Sequence, residues 1–517
     1  MNKIKSSCLA FVLAAAQTVM AGGLLTNTNQ NVSFLRNPAR DAAIGIDGVY
    51  SNPAGVVFLG DGFHLSLNIQ NALQTRTVSS WSELYKLGMN NNGSDFKEFE
   101  GEANAPILPS LQAAYNKGKW SYQFGFAITG GGGKCTFDYG IPTFESSIAM
   151  ISKQLSAFGA TGYDMSAFME GRQYYFGFTA GAAYKVSENL SVYGGLRLLY
   201  GNASYKAKVD NIKVNTANGA VAFDKFLDAA NQTIEGGLAQ IAEKLPLVEG
   251  GIAQVQQGIA QYEAAGVAVP AELTGKLAEL QATQQQLLTT QETLKGAEGS
   301  INQLEPYRNG VNLMCDQTAW GVAPIIGIDY KAGKLNLAAK YEFKTRMRMK
   351  NKSTVKEASL IAAVNKFKDG EKVDEDSPAL LTVGAQYEIL PSLRVMAGWH
   401  HYFDVDTKQY TKEMLGDSNE YLFGAEYDIC KKLQISAGMQ RTAYDLNDAG
   451  MNDISFNVSS YSYGLGIGYN VTEKIKVNAA WFQTLYDDYD KAPDAMGVKN
   501  SFTRTNRVIG IGVDFKL

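Results

Sequence analysis

Apolar and non-apolar positions alternate with period two over many short stretches of this chain. From Ile509 the residues Ile509, Ile511, Val513, Phe515 and Leu517 are apolar, with Gly510, Gly512, Asp514 and Lys516 between them. The same pattern gives the faces Phe63-Leu65-Leu67-Ile69, Tyr122-Phe124-Phe126-Ile128, Tyr174-Phe176-Phe178-Ala180, Leu393-Val395-Ala397-Trp399 and Tyr461-Tyr463-Leu465-Ile467. Side chains on a strand point alternately to its two sides, so each stretch predicts a strand with one greasy face and one small or polar face.

Soluble β-sandwiches alternate too, and the connections separate the cases. Fourteen candidate strands begin near Gly62, Ala105, Lys119, Arg172, Asn189, Asp316, Lys334, Pro378, Ser392, Asn419, Lys432, Ser455, Lys474 and Phe502. Tight turns such as Asn116-Lys117-Gly118, Lys331-Ala332-Gly333 and Leu390-Pro391 alternate with long loops such as 78–103, 133–171, 210–314 and 351–375. Short turns on one rim, long loops on the other and an even strand number are the layout of an outer-membrane barrel. The reading is therefore all-β: a 14-stranded antiparallel transmembrane β-barrel over 61–517, in the Gram-negative outer membrane. Tyr115, Trp120, Tyr184, Tyr200, Tyr330 and Trp399 fall near strand ends, where interfacial aromatic girdles sit.

Composition narrows the classes further. The 517 residues carry 47 Lys+Arg against 51 Asp+Glu, which offers no polycation for nucleic acid. Gly 52, Tyr 27 and Phe 24 suit strands and turns. Lys3 and Lys5 precede an apolar run from Leu9 to Ala16 and a small-residue site at Val19-Met20-Ala21, so residues 1–21 read as a signal peptide. No later run of 18 apolar residues exists to make a membrane helix.

Two regions do not read as wall. Residues 22–60 hold Asn37-Pro38-Ala39 and Asn52-Pro53-Ala54-Gly55 around a small-residue stretch, which predicts a compact non-strand segment able to plug a barrel. Within 210–314, Ile252, Val255, Ile259 and Tyr262, then Leu273, Leu277, Leu280, Leu287 and Leu294, repeat at helical spacing; they predict an antiparallel helical hairpin on the extracellular rim, broken near Gly266 and Pro270.

Asp47 followed by Tyr50-Ser51-Asn52-Pro53-Ala54-Gly55, ahead of a strand opening Gly62-Phe63-His64-Leu65-Ser66, resembles the start of the FadL/TodX family of outer-membrane hydrophobic-compound transporters. The tandem Asn-Pro-Ala after Phe34-Leu35-Arg36 is similar to the Bacteroidetes variant. The resemblance implies fourteen strands behind an N-terminal hatch, with Asn37, Pro38, Ala39, Asn52, Pro53, Ala54 and Gly55 in the hatch or gate. It implies passive uptake of long-chain fatty acids or aromatic compounds, captured at extracellular loops and released through a plug-gated lateral opening. It also implies an inward kink in the third strand, which here runs into Gly130, Gly131, Gly132 and Gly133. Four glycines mark either that kink or the entry to the following loop.

A fatty-acid carboxylate in a low-dielectric lumen needs a cation, and face assignment offers Arg197, Lys344, Arg346, Arg348 and Arg394 as lumenal candidates, with Arg504 also on an inward face. The competing reading is that they neutralise Glu342, Glu426, Asp428 and other lumenal acids or lie outside the membrane beside lipopolysaccharide. Expected partners are the hydrophobic ligand, outer-membrane lipid with its lipopolysaccharide, and the barrel-assembly machinery, for a monomer without nucleic acid. Catalysis is not expected: His64, His400 and His401 lack metal-ligand spacing, Ser66 lacks an acid partner, and Gly464, Gly466 and Gly468 lie in a strand rather than a phosphate loop. Neither cofactor nor metal is called for. Only Cys135 and Cys315 are placed on the same rim, so either they bridge or both are free. Two other functions remain open: a surface adhesin or structural barrel built on 210–314, or a general porin.

Overall fold

The computed structural model describes residues 31–356, 362–409, 415–454 and 456–517, with Thr26 and Glu413. The expected leader lies outside the described residues. In chain order the strands are β1 (Gly62–Trp81), β2 (Phe96–Lys117), β3 (Trp120–Phe137), β4 (Ala160–Lys185), β5 (Leu190–Thr216), β6 (Gly219–Ala222), β7 (Val311–Ala332), β8 (Leu335–Glu342), β9 (Arg348–Ser353), β10 (Lys372–Asp374), β11 (Ala379–Leu390), β12 (Leu393–Phe403), β13 (Ser418–Asp428), β14 (Leu433–Ala443), β15 (Ser460–Asn470), β16 (Ile475–Tyr486), β17 (Tyr489–Lys491) and β18 (Lys499–Lys516). β8 with β9, β10 with β11 and β16 with β17 are single wall strands interrupted once, and β6 is a short return against β5. The wall is a closed antiparallel barrel of 14 strands. Closure is by β1, which pairs with β2 on one edge and with β18 on the other, from His64 opposite Lys516 to Trp81 opposite Lys499.

The alternation read from the sequence is the lipid and lumen faces. On β1, Phe63, Leu67 and Ile69 are exposed while Ser66, Asn68 and Gln70 are buried. Trp120 packs on Tyr184 with ring centroids 4.7 Å apart at the short-turn rim. A membrane strand needs only about 9–11 residues, yet β4 has 26 and β5 has 27. The excess stands above the membrane, and it explains the misplaced starts. β2 begins at Phe96 rather than near Ala105, β4 at Ala160 rather than near Arg172, and β7 at Val311, because outside the lipid the outward residues turn polar (Glu98, Glu100 and Glu102 on β2) and the apolar half of the signal vanishes.

Among the described residues four α-helices accompany the strands. α1 (Val32–Arg36) lies in the N-terminal segment, and α2 (Pro142–Gln154) follows β3. α3 (Phe223–Ala264) and α4 (Ala271–Asn302) are the expected hairpin, broken at the expected place. α3's first turns bury Phe223, Phe226, Leu227, Ala230 and Ile234 in the upper barrel, whereas α4 buries only Ile301. At 1.5 Å per residue α4 spans about 48 Å, so most of the pair projects beyond the rim. Leu294 and Leu280 close the seam against Gly237 and Gly251.

Candidate functional site: a plugged lumen with a break in its wall

Residues 31–60 fill the lumen at the short-turn end. α1 is capped by the Asn31 side chain, which accepts from Ser33 N at 2.8 Å. Its amide donates to Gln112 Oε1 at 2.8 Å and Ser66 Oγ at 3.0 Å on the wall. A second turn, Ile46–Val49, and a third, Gly55–Leu59, follow. Most polar backbone groups of this segment have no ladder to join, so wall side chains serve them, as burial demands. Gln123 Nε2 donates to Pro53 O at 2.7 Å, Ser191 Oγ to Ala54 O at 2.6 Å, Asn116 Nδ2 to Val56 O at 2.8 Å and Asn336 Nδ2 to Ala42 O at 2.7 Å. Asn37, Pro38, Ala39, Asn52, Pro53, Ala54 and Gly55 are all buried here. Asn52 Nδ2 donates to Asp329 Oδ2 at 2.6 Å, and its Oδ1 accepts from Gly55 N at 3.2 Å. Asn37 Oδ1 accepts from Ala39 N at 3.1 Å. Each Asn therefore uses its side chain to hold its own Asn-Pro-Ala turn.

Two ionic clusters pin the plug to the wall. Arg40 donates to Asp47 at 2.8 and 3.0 Å and to Glu426 Oε1 at 2.7 Å. His400 sits between Asp41 (2.9 Å from Nε2) and Glu420 (2.8 Å from Nδ1), and Glu420 also accepts from Tyr402, Gln440 and Thr442. Lys340 Nζ donates to Tyr50 O at 2.8 Å and lies 4.3 Å from that ring's centre. The wall is cut back to admit this segment. A Cβ on Gly424 would fall 1.9 Å from Asn37 Oδ1, on Gly398 2.1 Å from Asp41 Oδ2 and on Gly464 2.3 Å from Leu35 O. The glycines alternating in β15 thus serve close approach. A cavity of about 30 Å³ remains between plug and wall, lined by Phe34, Asp41, Tyr50 and His400 among others; that is room for about one water.

Above the plug the lumen is apolar. Phe99, Phe137, Tyr175, Leu199, Met347, Met349, Phe456 and Phe502 are buried in one cluster with α2. Asp453 fixes that helix by accepting from Thr143 N at 2.6 Å and Thr143 Oγ1 at 3.0 Å, while burial pushes its carboxyl above the usual range.

The wall beside this cluster is broken. β2 and β3 pair from Lys117↔Trp120 up to Leu111↔Phe126, then not again until Ala103↔Cys135. Gly130 to Gly133 lie inside β3, not in the loop after it, and two register shifts against β4 fall at Gly130 and Gly133. Gly131 has φ +100°, and a Cβ there would fall 2.3 Å from Gln173 O. Across the break β2 carries Pro106 and Pro109, which lack the donors an open edge in lipid cannot leave unpaired. Asn71 Nδ2 covers Pro106 O at 3.3 Å.

Most of the lumenal cation candidates are committed or misplaced. Arg197 is buried in a two-bond pair with Glu342 at 2.6 and 2.7 Å. Arg394 forks onto Asp428 at 2.9 and 3.1 Å at the short-turn rim. Lys344 donates to Asp406 O at 2.7 Å near the long-loop rim. Arg346 and Arg348 are exposed on the outer face, contrary to the lumenal expectation. The wall strand is interrupted between Glu342 and Arg348, and its parity flips there: Lys340 and Glu342 face in before the break, Met347 and Met349 after it.

Sequence reading placed Arg504 inward but missed Arg76, with which it forms a better-placed pair. Arg76 of β1 and Arg504 of β18 are directly opposite each other. Arg76 is buried with an unsatisfied Nε, no ion pair among the described residues and the Phe456 ring 5.9 Å away; Arg504 makes 3.4 Å contacts to Phe456 O, Asn457 and Gln74 and lies 5.0 Å from the Tyr486 ring centre. Arg76 lines a cavity of about 40 Å³ with Gly133, Cys135, Phe137, Met169 and Tyr205. Its neighbour two residues on, Gln74, pairs with Ala103, the upper edge of the break. Pro106 and Pro109 inside an otherwise alternating stretch were the available signal for the break, and an Arg on the small-residue face beyond Ile69 was the signal for Arg76. Cys135, Cys315 and Cys430 are free. Cys135, Gly171, Tyr205 and Cys315 lie on one cross-strand row, so three strand spacings, roughly 14 Å, separate the two rim thiols.

The fold and its apolar girdled exterior define an outer-membrane β-barrel with an occupied lumen. Compared with known proteins, the sequence matches no family model and no curated protein. The structure is similar to a FadL homologue of Pseudomonas aeruginosa, with TM-score 0.58 and 11% identity over 96% of this chain and 99% of that one. It is also similar to the toluene transporter TodX of Pseudomonas putida, with TM-score 0.50 and 13% identity over 92% and 95%. The likeness is one of fold: the closed 14-stranded wall with its N-terminal region is the FadL type.

Proposed function

We propose that the chain is a passive outer-membrane channel for hydrophobic molecules, long-chain fatty acids or aromatic compounds, which enter through the extracellular loops and leave sideways into the membrane. The observation that carries this reading is the break in the β2–β3 ladder. It joins an apolar chamber to the lipid belt, while the route straight down is filled by residues 31–60. A hydrophobic molecule following that path stays out of water, whereas a polar solute meets a plug. The base of the α3–α4 hairpin roofs the chamber and supplies the capture surface, and Gly130 to Gly133 shape the opening.

Arg76 and Arg504 refine the ligand class. Like charges directly opposite each other destabilise a strand pair, and an anion between them removes that cost. A carboxylate there leaves its hydrocarbon chain among Phe137, Met169 and Tyr205. The reading requires no chemistry on the ligand, so the protein is not an enzyme. Plug movement gates the passage, with Asn37 to Ala39 and Asn52 to Gly55 as its rigid turns.

The test is binding of a long-chain fatty acid and of its uncharged hydrocarbon analogue to the detergent-purified chain. Charge-assisted hydrogen bonds contribute about 1.5–3 kcal/mol each, so Arg76→Ala is expected to weaken fatty-acid binding at least about tenfold and leave the hydrocarbon unchanged. Equal fatty-acid binding by both proteins overturns the assignment of the pair, and absence of binding for either ligand overturns the channel reading.

A further inference from the structure

The outer surface of the barrel changes character abruptly above one arc of its aromatic girdle. Phe176, Tyr200 and Trp320 form a cross-strand row on β4, β5 and β7, with ring centroids 6.2 and 4.6 Å apart. Such rows mark the membrane interface, and Val322, Ile326 and Ile328 continue apolar below Trp320. Two residues further toward the long-loop rim the outward row reads Thr318, Lys350 and Lys372, with the two lysines directly opposite each other. In the next row Lys134 is directly opposite Arg172. Arg348 continues the strip on β9, where it pairs with Asp374 at 3.3 Å.

Lys134 is answered by Glu170 at 2.9 Å, whereas the directly opposed Lys350 and Lys372 cost the sheet stability unless an anion lies between them. Lys350 and Lys372 take part in no salt bridge among the described residues; the nearby acids are engaged elsewhere, Glu170 by Lys134 and Lys206, Asp374 by Arg348 and Lys408, and Asp369 by Lys356. The arrangement is one-sided: on β2 the corresponding outward positions are Glu98, Glu100 and Glu102. A general solubilising shell has no reason to segregate its signs in this way.

We propose that this arc, centred on Lys350 and Lys372, is a docking surface for the phosphate groups of an outer-leaflet glycolipid whose acyl chains lie along Val322 and Ile326. Three observations select that occupant: two directly opposed lysines without a salt bridge among the described residues, their position immediately above the aromatic row on the long-loop side, and continuity with the apolar belt. A soluble anion uses only the first of these. The site is independent of whatever passes through the lumen.

Native mass spectrometry of the full chain in detergent, titrated with bis-phosphorylated lipid A, tests it. Each cation near an anionic membrane surface contributes about 1 kcal/mol, so Lys350→Gln with Lys372→Gln is expected to weaken retention by at least about tenfold. Lys350→Arg with Lys372→Arg is expected to restore it, and dephosphorylated lipid A to bind the unaltered protein at least about tenfold more weakly. Heat-dependent mobility in gels verifies that each variant is folded; should the Gln variant not fold, the dephosphorylated lipid on the unaltered protein decides. Equal retention of both lipids, equal retention by the folded Gln variant, or displacement of the lipid by millimolar inorganic phosphate overturns the proposal.

Discussion

The two halves of the lumen are built on opposite principles. The short-turn half is polar, held by Arg40–Asp47–Glu426 and Asp41–His400–Glu420, and fitted onto a wall whose glycines leave no spare volume. The long-loop half is an apolar cluster in which flexible Met347 and Met349 lie beside aromatic rings and an arginine pair without a carboxylate partner among the described residues. Buried ion networks specify one arrangement and make its partial loss costly, whereas methionine-rich surfaces adapt to what they hold. The contrast separates a part packed into one specific arrangement from a part that can receive a guest, and the ladder break lies beside the second.

Removing residues 31–60 from the full chain breaks the contrast most severely, since among the described residues no other segment fills the short-turn half. Ion conductance in planar bilayers is expected to rise from near zero to a constitutive open level. A smaller effect comes from Arg40→Ala, which leaves buried Asp47 without its cation and Glu426 with only Arg36 and Arg394 at 3.7 Å, at a cost of about 3–5 kcal/mol. Faster amide hydrogen exchange confined to 31–60, with the wall unchanged, is the expected signature.

Glycine substitutions sharpen the comparison. Gly424→Ala drives a Cβ into Asn37 of the packed plug and is expected to cost about 1–3 kcal/mol, read as a lowered midpoint in heat-dependent gel mobility. Gly201→Ala meets the flexible end of Met347, 2.7 Å from the ideal Cβ. The side chain can swing aside, and a shift below about 1 kcal/mol is expected. Equal effects at the two sites would erase the distinction between a rigid half and an adaptable one.

The smallest effect concerns the long-loop rim. Asp404 accepts from Ser418 N at 3.0 Å, and burial pushes its carboxyl up to about 7 from the ordinary 3.8. The folded loop therefore keeps the proton that the unfolded chain loses at lower pH, so its contribution to stability is full below about pH 4 and is lost as pH rises toward about 7. Exchange in 404–409 and 415–418, corrected for intrinsic rate, is expected to increase between about pH 5 and pH 8, and Asp404→Asn to flatten the dependence.

Much of the wall was legible because lipid imposes a strict alternation and the turns are short on one rim. Boundaries failed at Phe96 and Ala160, where strands leave the lipid and the outward face becomes polar. The plug was legible as a non-strand segment with two Asn-Pro-Ala turns, but its partners were not: Asp329, Glu420 and Glu426 are hundreds of residues away, and only register brings them to it. Lumenal cations were misassigned at Arg346 and Arg348 because one interruption between Glu342 and Arg348 inverts every face that follows. Arg76 escaped notice because its strand was read only as far as Ile69.

The central claim is that ligand leaves through the β2–β3 break. In a Cys430→Ser background, Ile107→Cys and Gly130→Cys place one thiol on each edge, to be joined by a short cleavable bis-maleimide. Uptake of radiolabelled long-chain fatty acid into lipid vesicles carrying this protein is then measured before cross-linking, after it, and after cleavage of the linker. The account predicts normal uptake, then near-complete loss, then recovery. Undiminished uptake through the cross-linked barrel would contradict it and send the ligand past the plug instead.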